Sequence, residues 1–155
     1  QILVMSVTIE LPDVWRPVDA SPNGFPNDFL AVGPPGYRDY SPTVVLNHND
    51  EVTGSLEEWI GETIDMMQKQ IFKTLHVIDS ATTTIAEHPA LVYVSTFTVE
   101  ALNVTQEQFA LIDRPEGGPA TGYVLTFTCA SAEYPEYVDT FATMAHSFEI
   151  PRRPA

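Results

Sequence analysis

The sequence predicts an α+β domain in which an antiparallel β-sheet of about six strands carries helices on its faces. Three observations support this fold class: an amphipathic helical segment with a clear start, a later series of four strand-like runs, and a second helical segment near the end. The turns between the four runs are too short for crossover helices, so consecutive strands are expected to pair antiparallel. Helices packed on such a sheet would bury the apolar sides of both.

The first part of the chain contains less regular structure. Alternating β-branched residues predict a strand at 3–11, and two shorter candidates lie at 29–32 and 43–47. The segment at about 16–41 is rich in Pro and Gly and is predicted to be a loop. A loop of that length in a small domain either has a function or only connects elements.

The clearest local signal is a capping box at Ser55 and Glu58, in which each side chain bonds the backbone amide of the other residue. Apolar residues then recur at helical spacing as far as Ile71, which predicts a helix with one apolar side. The strands that follow are expected at 75–84, 90–99, 104–113 and 122–130, separated by turns at 87–89, 101–103 and 114–119. The second helix is expected at about 135–146, with Pro135 in its first turn.

Length and charge limit the function. A chain of 155 residues fits a single domain, 1–155, which ends in a short tail at 151–155. A net charge of −14 repels phosphate backbones and anionic lipid headgroups, so a nucleic-acid partner is not expected. No segment approaches the roughly 20 apolar residues of a membrane span, so membrane insertion is not expected either.

The cellular location depends on where the natural chain begins. If Met5 is the natural start, we expect a cytoplasmic protein; if an export signal precedes Gln1, we expect an exported one. Cys129 lies in an apolar run, so it is expected to be buried and unreactive, in keeping with a reducing compartment.

Several short segments, spread over nearly the whole chain, carry a resemblance to a known family. They are Pro12–Trp15, Ser55–Ile60, Ala86–Ala90, Thr105–Gln108, Tyr123–Thr128 and the closing Phe141 with Ser147–Ile150. With the element order, they resemble the PsbP-like superfamily, including DcrB-like proteins and actinobacterial LpqN/LpqT-type lipoproteins. The resemblance implies a central antiparallel sheet with helices on both faces, and proteins that act by binding without shared catalytic residues. Unlike the lipoproteins, this chain shows no lipobox cysteine at its start.

No catalytic or metal-binding pattern stands out in the sequence. A nucleophile elbow and a Gly-rich phosphate loop are both missing, and the pair Glu57 and Glu58 is explained by the helix start. His48 lies in a polar cluster without the spacing of metal ligands. We therefore expect no enzyme, no metal and no cofactor.

The first functional hypothesis is a non-catalytic, protein-binding adaptor or chaperone-like domain. Its candidate binding surface consists of the aromatic residues in and beside the 16–41 loop: Trp15, Phe25, Phe29, Tyr37 and Tyr40. Such rings anchor protein interfaces, although they equally serve to cover one end of a sheet. Homodimerisation is a further expectation, because exposed sheet edges favour pairing.

The alternative hypothesis is a carrier of a small molecule or lipid, with a pocket between sheet and helix. Trp59 and Met67 of the first helix would contribute to an adaptable apolar surface there. A carrier predicts an enclosed apolar pocket of roughly 300 Å³ or more.

Overall fold

The computed structural model describes residues 9–18, 28–116 and 118–150. The strands are β1 Arg16–Pro17, β2 Phe29–Val32, β3 Thr43–Asn49, β4 His76–Ile85, β5 His88–Val99, β6 Leu102–Asp113 and β7 Thr121–Ala130. The helices are α1 Leu56–Gln70 and α2 Tyr134–Ser147, with short 3-10 turns at Tyr37–Asp39 and Ser131–Glu133. The strands form one antiparallel sheet in the order β1-β2-β3-β7-β6-β5-β4.

The predicted α+β class is confirmed, with seven strands in the described part of the chain rather than about six. The added strand is β1, whose two residues pair with β2 inside the segment predicted to be a loop. The strand predicted at 3–11 lies largely outside the described residues. Its described end, residues 9–11, is not a strand, so the prediction is wrong there: Ile9 and Leu11 pack against the core instead of pairing.

The two helices lie on opposite faces of the sheet, as the alternation of neighbouring residues in β7 shows. Val124 packs in a cluster with Ile60 of α1. Leu125 belongs to a cluster with Phe141 of α2. Successive side chains of a strand point to opposite faces, so α1 covers one face and α2 the other. We call them the α1 face and the α2 face.

The α2 face contains the main core. Phe127 stacks on Phe141 with ring centroids 5.0 Å apart, and Phe109 meets Phe127 edge-on at 5.7 Å. Phe148, just after α2, is also buried in this cluster. Close aromatic packing of this kind contributes strongly to stability, because large rings bury much apolar area and gain from their relative orientation.

The hairpins of the β4–β7 meander turn in fewer residues than predicted. The β4–β5 turn consists of Ala86 and Glu87, and the β5–β6 turn consists of Glu100 and Ala101; all four have positive φ angles. Two-residue hairpins need left-handed residues to match the strand twist. The turns predicted at 87–89 and 101–103 are therefore displaced, because those segments are mostly strand.

Helix α1 begins as its sequence predicts. Ser55 Oγ accepts the Glu58 amide at 3.1 Å, and Glu58 Oε1 accepts the Ser55 amide at 3.2 Å. Arg114 donates a hydrogen bond of 2.7 Å to the carbonyl oxygen of Gly54, which fixes the start of the helix against the end of β6. The helix then connects β3 to β4 at the far edge, so it crosses the face formed by β7, β6 and β5.

Candidate functional site

An open groove of about 400 Å³ lies between α1 and the sheet. We call it the α1 groove. Its helical wall is formed by Trp59, Thr63, Met66, Met67 and Ile71, and its floor and far side by Val45, Asn47, His48, Asn49, Gln106, Gln108, Val124 and Thr126. The wall residues recur every three or four positions, so they lie on the side of the helix that faces the sheet.

The Trp59 ring lies directly against β7 at Gly122, a residue without a side chain. A Cβ atom on Gly122 would lie 2.3 Å from the Trp59 ring. Only glycine therefore lets the indole lie so close to β7. This close approach fixes the ring as the end of the groove.

The floor of the groove is polar and deeply buried. Gln106 and Gln108 alternate along β6 and both face α1, and Gln108 is only 5% exposed. Gln108 Nε2 donates a hydrogen bond to Thr126 Oγ1 at 3.0 Å, whereas Gln108 Oε1 has no hydrogen-bond partner among the described residues. Gln108, a residue of the groove lining, thus carries a buried acceptor that no described residue pairs.

Two further polar atoms on the same face lack partners. Tyr93 pairs across the strands with Gln108, and Ser95 pairs with Gln106. The Tyr93 hydroxyl and Ser95 Oγ are buried without a hydrogen bond in the protein. Burial raises the pKa of Tyr93, so its hydroxyl stays protonated at neutral pH. Each unpaired buried polar group lowers the free energy of unfolding by about 1–3 kcal/mol, so these groups destabilise the protein unless a ligand pairs with them.

One lining residue, His48, contacts two aspartates that do not themselves line the groove. His48 lines the groove, and its Nδ1 lies 2.5 Å from Asp28 Oδ2 while its Nε2 lies 3.3 Å from Asp50 Oδ1. The lining contains no Lys, Arg, Asp or Glu. The described residues therefore provide no Lys or Arg inside the groove for an anionic ligand.

The predicted aromatic surface is dispersed. Trp15 is 6% exposed and meets Phe141 edge-on at 6.4 Å, so its ring is buried rather than on the surface of the free protein. Its ring packs against Gly33, where a Cβ atom would lie 2.7 Å from the indole. Trp15 therefore belongs to the core on the α2 face, where the small size of Gly33 makes room for it.

The other four aromatic residues do not join Trp15 in one surface. Phe29 is half-buried against the core of the α2 face, whereas Tyr40 is half-buried beside Met67 on the α1 face. Tyr37 is 44% exposed. Phe25 lies outside the described residues. Phe29 and Tyr40 thus cover the sheet, which was the other interpretation of these rings.

The remaining reactive side chains are held in structural contacts. Cys129 is fully buried, and burial raises the pKa of its thiol to about 12, with Glu133 and Glu107 adding to the shift. His88 Nδ1 lies 2.6 Å from the Ala86 carbonyl oxygen, and its Nε2 lies 3.2 Å from Asp113 Oδ1. Within residues 9–18, 28–116 and 118–150, no three His, Cys, Asp or Glu side chains are grouped so as to hold a metal.

Sequence reasoning identified Trp59 and Met67 as groove residues but missed Gln106 and Gln108. A signal was present in the sequence, because residues 105–108 form a run of four polar residues in the middle of the strand. The alternation that places residues 106 and 108 on the α1 face becomes informative only once the strand register is known.

Comparison with known proteins gives matches in structure alone. No protein-family model matches the sequence, and no curated protein matches it. LpqN of Mycobacterium tuberculosis, involved in cell envelope biogenesis, superposes with a TM-score of 0.66 at 16% identity, over 96% of this chain and 86% of LpqN. PA94 of Pseudomonas aeruginosa, of unknown function, gives 0.58 at 14% identity, over 96% of this chain and 99% of PA94.

A third solved structure extends the comparison to photosynthetic bacteria. Cyanobacterial PsbP from Synechocystis superposes with a TM-score of 0.59 at 15% identity, over 90% of this chain and 83% of that protein. None of the helices described here is long and apolar enough to cross a membrane. With a seven-stranded antiparallel sheet and a helix on each face, the chain has the PsbP-like fold.

Proposed function

We propose that this protein is a non-catalytic binding domain that holds a small amphipathic molecule in the α1 groove. The observation that carries the proposal is the Gln108 side chain, whose carbonyl oxygen is buried in the groove without a partner. A ligand that donates a hydrogen bond to this oxygen would remove its desolvation cost.

The size and walls of the groove support an amphipathic ligand. A volume of about 400 Å³ falls within the range of small-molecule sites, roughly 300–1,000 Å³. Trp59, Met66, Met67 and Ile71 provide the apolar wall, and methionine side chains adapt to ligands of different shape. The groove is open on one side, unlike the enclosed pocket that a carrier predicts, so part of the ligand would remain in contact with water.

The lack of Lys and Arg among the described residues of the groove favours a ligand with an uncharged head group. A fatty acid carboxylate would find no Lys or Arg among the lining residues and would lie near Gln108 Oε1, which can only accept hydrogen bonds. An uncharged head with hydroxyl or amide donors suits the floor. We therefore expect neutral amphiphiles to bind more tightly than anionic ones of the same chain length.

The comparisons supply context for this proposal without carrying it, since a shared fold does not establish a shared function. LpqN is involved in cell envelope biogenesis. A groove for a neutral amphiphile suits an exported protein that meets envelope lipids, so of the two predicted locations we favour the exported one.

Protein binding remains the second candidate function. The aromatic residues predicted to form its surface do not come together in the described structure, so this role needs another surface. The feature that favours it is the exposed edge strand β4.

Intrinsic fluorescence tests the proposal directly, because Trp59 lies in the groove and Trp15 lies in the opposite core. In Trp15→Phe protein, titration with glycerol monolaurate should change the Trp59 emission with a saturable dependence, and native mass spectrometry should detect one bound molecule. Laurate should bind at least tenfold more weakly.

Two matched variants locate the site. Gln108→Leu should reduce affinity for glycerol monolaurate about tenfold, the equivalent of one hydrogen bond to a buried group. Gln70→Leu makes the same exchange at an exposed position outside the groove and should have no effect. Equal affinities for the two variants, or no saturable binding of either amphiphile, would contradict the proposal.

A further inference from the structure

Strand β4 leaves a long backbone edge unpaired. It is ten residues long, pairs only with β5, and ends the sheet. Residues 76–82 are all exposed, so within residues 9–18, 28–116 and 118–150 no other segment covers them. The free N–H and C=O groups of such an edge are a template for another strand, about 33 Å long at 3.3 Å per residue.

The usual protections of an edge strand are few here. β4 contains no Pro and no Lys, and its one acidic residue is Asp79. A bulge at Ile78 interrupts the register near one end, while Ser80 to Ile85 pair with β5 in continuous register. The opposite edge strand, β1, is only two residues long. The β1 edge of the sheet is therefore too short to pair extensively with another strand, whereas the β4 edge is long enough to do so.

An acidic hollow begins where β4 ends. It has a volume of about 780 Å³ and lies between Thr84, the β4–β5 turn and the end of α2. Three glutamates line it, Glu10, Glu87 and Glu149, all exposed. None of the three forms an ion pair with a Lys or Arg of the described residues. The hollow thus brings together three carboxylates that have no Lys or Arg partner in the described part of the chain, beside the free edge.

The other end of β4 differs in character. Val77 is 39% exposed and Ile78 is 61% exposed. An extended segment lying along β4 would meet apolar side chains at one end and carboxylates at the other. Because its two ends differ in this way, the β4 edge would favour a binding segment of one sequence, lying in one direction, over others.

We propose that the β4 edge and the acidic hollow together form a docking site for an extended basic segment of a partner protein, which adds a strand to the sheet. Main-chain hydrogen bonds along β4 would provide affinity, and lysine or arginine side chains reaching Glu87 and Glu149 would provide specificity. This site is separate from the α1 groove, because Glu149 follows α2 and lies against the opposite face.

A second copy of this chain fits the site less well. Each copy has a net charge of −14, so two copies of the chain repel one another. A stable interface buries roughly 1,200–2,000 Å². A single ten-residue edge offers little apolar surface toward that area beyond Val77 and Ile78. A basic partner gains from the charge that a second copy must overcome.

The first experiment measures binding of a defined probe to the full chain. The probe is a labelled ten-residue peptide of alternating valine and threonine with two lysines at one end, followed by fluorescence anisotropy. Binding should weaken as salt rises, because charge contributes to it. The same peptide with glutamates in place of the lysines, or with a central proline, should bind at least tenfold more weakly.

Charge reversal in the protein provides the matched control. Glu87→Lys with Glu149→Lys should reduce peptide affinity at least tenfold. Glu62→Lys with Glu136→Lys changes the net charge equally on exposed residues of α1 and the first turn of α2, outside the hollow, and should reduce it less than threefold. Equal losses in the two double variants would show only a general charge effect and would overturn the site.

Hydrogen exchange then tests the strand addition. The peptide should slow exchange of β4 amides between Ser80 and Thr84, which are exposed in the free protein at most positions. Exchange in α1 should not change. Three results would each overturn the proposal. They are peptide binding without protection of β4, no binding of the peptide at any concentration tested, and concentration-dependent dimerisation that protects β4 without peptide.

Discussion

The two faces of the sheet are built from the same strands and differ sharply in their packing. On the α2 face, Phe127 and Phe141 stack in a closed aromatic core. On the α1 face, Gln106 and Gln108 lie under a helix that leaves an open groove beside them. In β6 a shift of one residue moves from one environment to the other, because neighbouring side chains point to opposite faces.

This difference separates stability from binding. A close-packed face loses free energy whenever a side chain is shortened, since the cavity is not refilled. A face with unpaired polar atoms and an open groove is a poor source of stability and a better place for a ligand. We therefore expect substitutions in the aromatic core of the α2 face to lower the free energy of unfolding, and substitutions of exposed residues that line the α1 groove mainly to change affinity.

The largest expected effect is on the α2 face. Phe141 is fully buried and stacks on both Phe127 and Tyr137. Phe141→Ala should lower the free energy of unfolding by about 3–5 kcal/mol, through lost apolar burial and a residual cavity. Urea denaturation checks this. A loss below about 1 kcal/mol would mean that the α2 face is not the main core.

The second prediction concerns Gly122, where one substitution is expected to change both the stability of the protein and its affinity for the amphiphile. In Gly122→Ala the new methyl would overlap the Trp59 ring, so the indole must shift along the groove. Overpacking of this kind typically costs about 1–3 kcal/mol. The variant should show a changed Trp59 emission maximum and a loss of amphiphile binding. Unchanged emission and affinity would show that Trp59 does not form the end of the binding site.

The third prediction concerns the one buried carboxylate of the α2 face. Glu107 is 6% exposed; its Oε2 accepts a hydrogen bond from the Tyr134 hydroxyl at 2.8 Å, and its Oε1 has no partner. Burial raises the pKa of Glu107 above its ordinary value of 4.5, and the Tyr134 hydrogen bond partly opposes the shift. The folded state therefore retains a proton that the unfolded state loses first as pH rises.

It follows that Glu107 lowers the free energy of unfolding as pH rises above about 4.5. Glu107→Gln removes this charge and should stabilise the protein at pH 7 by about 1 kcal/mol. Its advantage should disappear as pH falls to 4.5. Unfolding measured across pH, with the exposed Glu62→Gln as control, checks the sign; parallel curves for Glu107→Gln and wild type would contradict it.

The smallest expected change in stability is on the α1 face. Met66 lines the groove and is 45% exposed. Met66→Ala should change the free energy of unfolding by less than about 0.5 kcal/mol, as is usual for surface positions. Its affinity for glycerol monolaurate should nevertheless fall severalfold, through lost apolar contact. A large loss of stability in Met66→Ala would contradict the view that the groove residues of the α1 face contribute to binding more than to stability.

The sequence predicted the elements whose signals are local. The start of α1 was predictable because Ser55 and Glu58 bond each other across three residues, and that interaction needs no tertiary contact. The β4–β7 meander was predictable because each strand pairs with its neighbour in the chain. The hairpin turns were misplaced, because Ala86 and Glu87 adopt left-handed conformations normally marked by Asn or Gly.

The candidate sites were less predictable because they depend on register. Whether Gln108 lies in the groove or in the opposite core depends on which face of β6 the even residues occupy. Trp15 was assigned to a surface because nothing in the sequence reveals that Gly33 and Pro42 surround its ring. Pairings between distant segments decide both questions, and no local pattern records them.

The position of β3 also constrains the order in which the protein folds. Thr43 pairs with Thr128, so β3 gains its inner neighbour only when the last strand has been made. During synthesis, β2 and β3 leave the ribosome long before β7 and must wait as an isolated pair, which is unstable in water. The meander has only short-range contacts, so it is expected to form the folding nucleus. We expect the docking of β3 onto β7 to follow the meander, and a chain that ended before β7 would leave β3 without its inner partner.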